Sequence, residues 1–254
     1  MNTDFAITKQ TLDSLDNWVM AIAQPFLPLE ARTIGRKGEE GIQWVFHEEN
    51  AWAVIVGKLV RMASGLRAAF LLADTGLISK CGTILRTVAD FTTEVIAMAE
   101  TVRTGAANDA QKRFIQQYFA PLAETPDDFD ARERERYVAR RDLVAAYVRW
   151  CSEFGKVDAD SMRKTLMFLL YGFDKFVHGA YLTSSELYDP FNKRFMLRGH
   201  VFEGKRVEYK RTVASKLHEM VGLLAWISML LNMPVLTEVI GKAALKLYDS
   251  GELM

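Results

Sequence analysis

The chain has 254 residues, half of them hydrophobic, and its 32 lysine and arginine residues are balanced by 32 aspartate and glutamate residues. A chain of this length and composition buries a large core, so global disorder is excluded. The zero net charge excludes an overall attraction to nucleic acid or to an anionic membrane, so any such partner must be bound by a local patch.

Signals for targeting, metals and cofactors are absent from the sequence. Cys81 and Cys151 each lie in an apolar helical pattern without CxxC spacing, so we expect buried thiols rather than a disulfide or a zinc site. The four histidines are scattered and no dinucleotide-binding glycine pattern is present, so we expect no metal and no cofactor. The N-terminus lacks a basic stretch followed by an apolar one, and the longest uncharged run, Met220 to Thr237, contains Asn232 and Pro234. These features predict a cytoplasmic protein with a buried central helix and no membrane span.

The first part of the chain predicts two helical segments separated by a linker. Thr3 or Asp4 is placed to cap a first helix that runs to Ala23, after which prolines follow. The stretch EARTIGRKGEEG is interpreted as a flexible linker, because it has no P-loop spacing and no strand before it. From Ile42 to Ala73, apolar residues recur at helical spacing and predict one long helix or two nearly continuous ones.

The next predicted helix, Leu77 to Val102, carries charged residues on its polar side. Arg86 and Asp90 are four residues apart, the spacing at which opposite charges pair on a helix. Asp90 and Glu94 face each other as like charges. This side of the helix therefore either lies in water or needs another cation from elsewhere in the fold.

A stripe of three arginines distinguishes the helix predicted from Ala131 to Phe154, which follows a shorter helix from Asn108 to Leu122. Arg132, Arg136 and Arg140 are spaced by four residues and repel one another along one face. An external anion, either a phosphate backbone or an acidic protein segment, relieves this repulsion, and a solvated surface is the alternative.

The segment from Thr165 to Tyr181 predicts a core helix with a polar stripe. Lys164, Tyr171, Asp174, Lys175 and His178 share the face opposite the apolar one. Asp174 and His178 are one turn apart, so the carboxylate can orient the imidazole and raise its pKa, as acid–base catalysis or anion binding requires. The alternatives are the wet face of an amphipathic helix and a structural cap at the helix end.

The last part of the chain is predicted to be irregular from Ser184 to Lys205, with one small hairpin near 193–209, before a major helix from Val207 to Met233. Arg211 and His218 lie on one side of this helix, Pro234 ends or kinks it, and a short helix closes the chain. The expected fold is an all-α bundle of about seven or eight helices in a single domain, 1–254, with the N-terminal helix 4–23 and the C-terminal tail 235–254 at its periphery.

Two sequence elements together suggest a family. LRTVADFTTEV, followed much later by YGFDKFVHG, resembles uncharacterised bacterial helical proteins of the HEPN-like kind. The resemblance implies a helical bundle, often dimeric, that sometimes serves as an RNA-cleaving or RNA-binding component of defence systems. It matches the family's arginine-to-acid element to Arg86 with Asp90, and its tyrosine-to-histidine element to Tyr171 with His178.

Catalytic members of that family carry an arginine followed by a histidine after about four to six residues. Arg211 with His218, in the last major helix, has this arrangement, and Arg194 with His200 repeats it in the irregular segment. Thr212 stands where active members tend to have Asn, His or Asp.

Two functional hypotheses follow from different classes. The first is a non-catalytic or regulatory helical protein, defence-related by the resemblance and expected to be homodimeric, that binds RNA or an acidic protein. The second is a metal-independent endoribonuclease of the HEPN type, with a composite site at a dimer interface that includes His218 or His178 beside an arginine.

Overall fold

The computed structural model describes residues 4–34, 41–120, 140–177, 187–196, 199 and 202–253. Within these residues the chain forms eight α-helices and two short antiparallel sheets of two strands each. The helices are α1 (Ala6–Ala23), α2 (Ala51–Asp74), α3 (Ile78–Thr104), α4 (Asp109–Phe119), α5 (Arg140–Gly155), α6 (Ala159–Val177), α7 (Glu203–Leu230) and α8 (Pro234–Asp249). The strands are β1 (Glu30–Ile34), β2 (Gly41–Val45), β3 (Tyr188–Asp189) and β4 (Arg194–Phe195). The predicted all-α bundle is confirmed.

The centre of the bundle is α3, which packs against α2, α4, α5, α6 and α7. Five consecutive α3 residues, from Val95 to Ala99, are buried, as expected for a helix that is surrounded on all sides. The α2 and α3 helices approach closely at Gly65, where a Cβ atom would lie 3.1 Å from a methyl group of Val88. A larger residue at Gly65 would push the central pair of helices apart.

The longest helix, α7, supplies the other half of the core. It has the length and composition of a membrane span, with a mean hydropathy of 1.2 in its most apolar window, but 56% of that window is buried inside the bundle. Met220, Val221, Leu224 and Ile227 are fully buried there, so the predicted central helix is confirmed. This burial is that of a core helix of the bundle.

The two ends of the chain meet at the start of α1. The carboxylate of Glu252 accepts hydrogen bonds from the backbone N–H groups of Ile7 (3.0 Å) and Thr8 (2.8 Å) and from the Thr8 hydroxyl (2.6 Å). The prediction that Asp4 or Thr3 caps this helix was wrong for Asp4, which accepts a hydrogen bond from Lys9, while Thr3 lies outside the described residues. A residue distant in sequence therefore satisfies the orphan N–H groups that a local cap usually satisfies.

Two paired strands lie where the ends of the linker and the start of the long helix were predicted, and residues 35–40 of that linker lie outside the described residues. β1 pairs with β2 from Glu30 opposite Val45 to Ile34 opposite Gly41. Helix α2 begins only at Ala51, because Asn50 caps it by accepting the N–H of Ala53 at 3.1 Å. The predicted helix start at Ile42 was therefore wrong.

A second, shorter hairpin lies before α7. Its strands are β3 and β4, and Asp189 shapes the turn by accepting the backbone N–H groups of Phe191 and Asn192. A hairpin was predicted near 193–209, but residues from Glu203 onward are helical, so the position of its second arm was wrong. Pro234 opens α8, and the predicted end of the major helix before it is confirmed.

Candidate functional site

The predicted Arg86–Asp90 pair lies within a cluster of charged side chains between α2 and α3. Arg86 and Asp90 form an ion pair, and one turn further along α3 the Glu94 carboxylate lies 2.7 Å from the Lys58 ammonium of α2. The side chains of Arg86 and Lys58 are only 5% and 9% exposed. Of the two alternatives drawn from the sequence, the structure confirms the second, because Lys58 is the cation that relieves the repulsion between Asp90 and Glu94.

Aromatic rings surround the Lys58 ammonium. It lies 4.3 Å from the ring centre of Phe91, 5.3 Å from that of Tyr118 and 5.9 Å from that of Phe114. The Tyr118 hydroxyl reaches so close to α2 that a Cβ atom at Gly57 would lie 2.1 Å from it. Glycine at this position is what allows α4 to cover the ion pair.

Burial dominates the electrostatics of this cluster. Desolvation raises the pKa of Glu94, although the charge of Lys58 opposes the shift. Desolvation also raises the pKa of Tyr118. This enclosed cluster holds α2, α3 and α4 together. Arg86 and Lys58 are its buried cations, whereas Arg61, whose guanidinium lies 4.7 Å from the centre of the Phe91 ring, is exposed.

An exposed face of α6 brings aromatic rings and cations to the surface. We define the α6 surface as Arg163, Lys164, Met167, Phe168 and Tyr171. Phe168 is 74% exposed, Tyr171 58% and Met167 48%. On the opposite side Leu166 and Leu170 are buried, so the predicted division of this helix into an apolar and an outer face is confirmed for these residues.

Of the predicted Asp174–His178 pair, the structure describes only Asp174. Asp174 lies in the last turn of α6, which ends at Val177. His178 lies outside the described residues, so the proposed hydrogen bond between the two stays a prediction.

The arginine stripe lies mostly outside the described part of the chain. Arg132 and Arg136 precede its next described segment, and Arg140 is the first residue of α5. Anion binding by the stripe stays a prediction.

The structure places His218 and Ser215 on the side of α7 that faces α8 and the C-terminal residues. The His218 ring lies 5.9 Å from the ring of Tyr248, and Ser215 donates a hydrogen bond to the backbone carbonyl of Leu253. Arg211 is half-buried. Burial lowers the pKa of His218 below its ordinary value, which favours the neutral imidazole.

A polar group that the sequence did not indicate joins α5 to α7. The Tyr147 hydroxyl donates to Glu219 at 2.5 Å, and the Lys216 ammonium donates to the other Glu219 oxygen at 2.6 Å. Burial raises the pKa of Tyr147, and it raises that of the nearby Cys151 to about 11. The tyrosine and the thiol are therefore both protonated at neutral pH, so this group acts as a buried link between helices and not as a nucleophile.

No group of three or more histidine, cysteine, aspartate or glutamate side chains suited to a metal ion occurs among the described residues. Comparison of the chain with known protein families, curated proteins and solved structures finds no match. The functional argument therefore depends on the geometry of this molecule.

Proposed function

We propose that this protein is a non-catalytic, cytoplasmic RNA-binding protein that holds single-stranded RNA on the α6 surface. The observation that carries the proposal is the exposure of Phe168 and Tyr171, three residues apart on one helix face, beside the cations Arg163 and Lys164. Exposed aromatic rings next to basic side chains are the arrangement by which proteins bind single strands, because bases stack on the rings and phosphates pair with the cations.

The ring content of the surface favours RNA over an acidic protein as the partner. The carboxylates of an acidic protein segment pair with the two cations but do not stack on Phe168 and Tyr171 as the aromatic bases of RNA do. Leaving rings of this size 74% and 58% exposed is unfavourable in the free protein, and stacking of bases removes that cost. The zero net charge of the chain fits a short local contact better than a long track of phosphates.

The surroundings of His218 support a non-catalytic role. A ribonuclease site needs this histidine in a cleft that a phosphodiester can enter, whereas here its ring packs 5.9 Å from the ring of Tyr248 of α8. The resemblance to the HEPN-like family is thus proposed for RNA binding and not for cleavage.

Fluorescence anisotropy with a labelled oligouridylate tests the proposal. The double variant Phe168→Ala/Tyr171→Ala should weaken binding about thirtyfold or more, since each of the two lost stacks costs about 1–3 kcal/mol. Arg163→Gln/Lys164→Gln should weaken binding and reduce its salt dependence. Two matched controls should bind normally: Trp44→Ala, at a 64% exposed ring on β2, and Lys242→Gln, at a 73% exposed lysine on α8.

A further comparison separates the α6 surface from the arginine stripe. The variant Arg132→Glu/Arg136→Glu reverses two stripe charges. If this variant abolishes binding while the α6 variants bind like the wild type, the RNA lies on the stripe and the α6 proposal is wrong. Absence of any RNA binding by the wild-type protein would reject the proposed function as a whole.

A further inference from the structure

A cavity of about 500 Å³ lies between the end of α1, the first β-hairpin and the start of α2. Its apolar wall includes Phe26, Leu27 and Phe46, and its polar wall consists of Glu30, His47, Glu48 and Asn50. The volume is within the range of cavities that hold a small organic ligand. This cavity is built by elements other than α6, so it is separate from the proposed RNA-binding surface.

The walls of the cavity are held in place by contacts within the protein. The Phe26 ring packs 5.5 Å from the Trp52 ring. Asn50 caps α2 with its side-chain oxygen and uses its amide nitrogen to donate to Glu48 at 2.7 Å. The cap of α2 therefore also fixes one carboxylate at the cavity wall.

The charge of the cavity is negative. Two carboxylates, Glu30 and Glu48, line it, and among the described residues no lysine or arginine does. His47 is hydrogen-bonded to Glu30 at 2.5 Å, so protonation of His47 offsets one of the two charges at most. The neighbouring Arg32 pairs with Glu49, which does not line the cavity.

We propose that this cavity binds an organic cation, an ammonium group carried on an apolar body about the size of one ring. The carboxylates of Glu30 and Glu48 compensate the positive charge, and the aromatic rings of Phe26 and Phe46 in the lining favour a cation over a neutral group of the same shape. The apolar wall takes up the body of the ligand. Both carboxylates repel an anionic ligand. A bare metal ion gains no ligand atoms from the aromatic wall.

Isothermal titration calorimetry with benzyltrimethylammonium tests the proposal, with benzyl alcohol and benzoate as the neutral and anionic probes. The cation should bind about tenfold or more tightly than benzyl alcohol, and benzoate should give no signal. Glu48→Gln and Glu30→Gln should each weaken binding of the cation severalfold. Glu49→Gln is the matched control, since it removes an adjacent carboxylate outside the cavity and should change nothing.

Three results would overturn this assignment: no binding of the cation at millimolar concentration, equal affinity for benzyl alcohol, or the same loss of affinity in Glu49→Gln as in Glu48→Gln. The glutamines are close in shape to the glutamates and the altered side chains are exposed, so thermal melting should verify that each variant is folded. RNA binding by Glu48→Gln should equal that of the wild type, which keeps this test independent of the proposed function.

Discussion

At the scale of single residues, two histidines of this protein have opposite surroundings. The hydrogen bond between the His47 ring and Glu30 raises the pKa of His47, whereas burial lowers that of His218, whose ring packs beside Tyr248 of α8. In an NMR titration we expect His47 to lose its proton above the ordinary value of 6.5 and His218 to lose it below that value. Glu30→Gln should bring the pKa of His47 down and leave that of His218 unchanged.

The two shifts also have opposite consequences for stability. Protonated His47 stabilises the folded state fully when the pH is below the pKa that this histidine has in the unfolded chain. This stabilisation is lost as the pH rises through the raised pKa of His47 in the folded protein. For His218 the unfolded state binds more protons in the window just below 6.5, so stability falls as the pH falls through that window. His218→Gln should flatten this acid-side loss, and an unchanged pH profile would show that the histidine is not buried in solution.

At the scale of helices, the Lys58–Glu94 pair holds α2, α3 and α4 together. Lys58→Met should lower the free energy of unfolding by about 3–5 kcal/mol at neutral pH, because it leaves the Glu94 carboxylate buried without its cation. The pKa of Glu94 is already raised by burial and should rise further in this variant. Since the folded state then binds the proton more tightly than the unfolded state, the loss should shrink as the pH falls through that raised value.

Chemical denaturation at several pH values measures this effect. The control is Lys112→Met on α4, which removes a 62% exposed lysine that lies 3.9 Å from Asp109 and should change stability very little. The role assigned to the pair would be contradicted if Lys58→Met lost no more free energy of unfolding than Lys112→Met, or if its loss did not depend on pH.

The helices also show what local sequence patterns can and cannot predict. The outer face of α6 was predictable because Lys164 and Tyr171, like Leu166 and Leu170, recur at the helical period. The strand Gly41–Val45 was missed because five residues are too few to separate a period of two from one of 3.6. The four-residue spacing of Asp90 and Glu94 predicted that a cation from elsewhere in the fold was needed. That this cation is Lys58 depends on how α2 packs on α3, and the spacing of residues within one helix does not predict this packing.

The same limit applies to both candidate sites. The cavity joins Phe26 of one segment to His47 of another, so it exists only once the hairpin has folded back on α2. On the α6 surface, Tyr171 was indicated by its place on the polar stripe, whereas the exposure of Phe168, an apolar residue, was not predicted from the sequence. Likewise Glu252 caps α1 across 244 residues of chain.

At the scale of the whole molecule, apolar side chains remain exposed on α8 after the bundle has formed. Val235 is 76% exposed and Val239 48%, one turn apart, and Met229 just before the α7–α8 turn is 54% exposed. Exposed apolar groups of this kind mark surfaces that associate, and a patch on one helix is self-complementary across a two-fold axis. We therefore predict a homodimer that buries this part of α8.

Light scattering after size-exclusion chromatography at micromolar concentration should give twice the 28.8 kDa of one chain. Val235→Lys/Val239→Lys should give the monomer mass, because it places two charges at the contact, while Leu71→Lys, at a 66% exposed leucine on α2, should leave the dimer intact. A wild-type monomer would reject the prediction, and a dimer that is disrupted by Leu71→Lys but not by the α8 variant would move the interface to α2. The α8 variant should still bind oligouridylate, since the α6 surface is present in each chain and is assembled without a second copy.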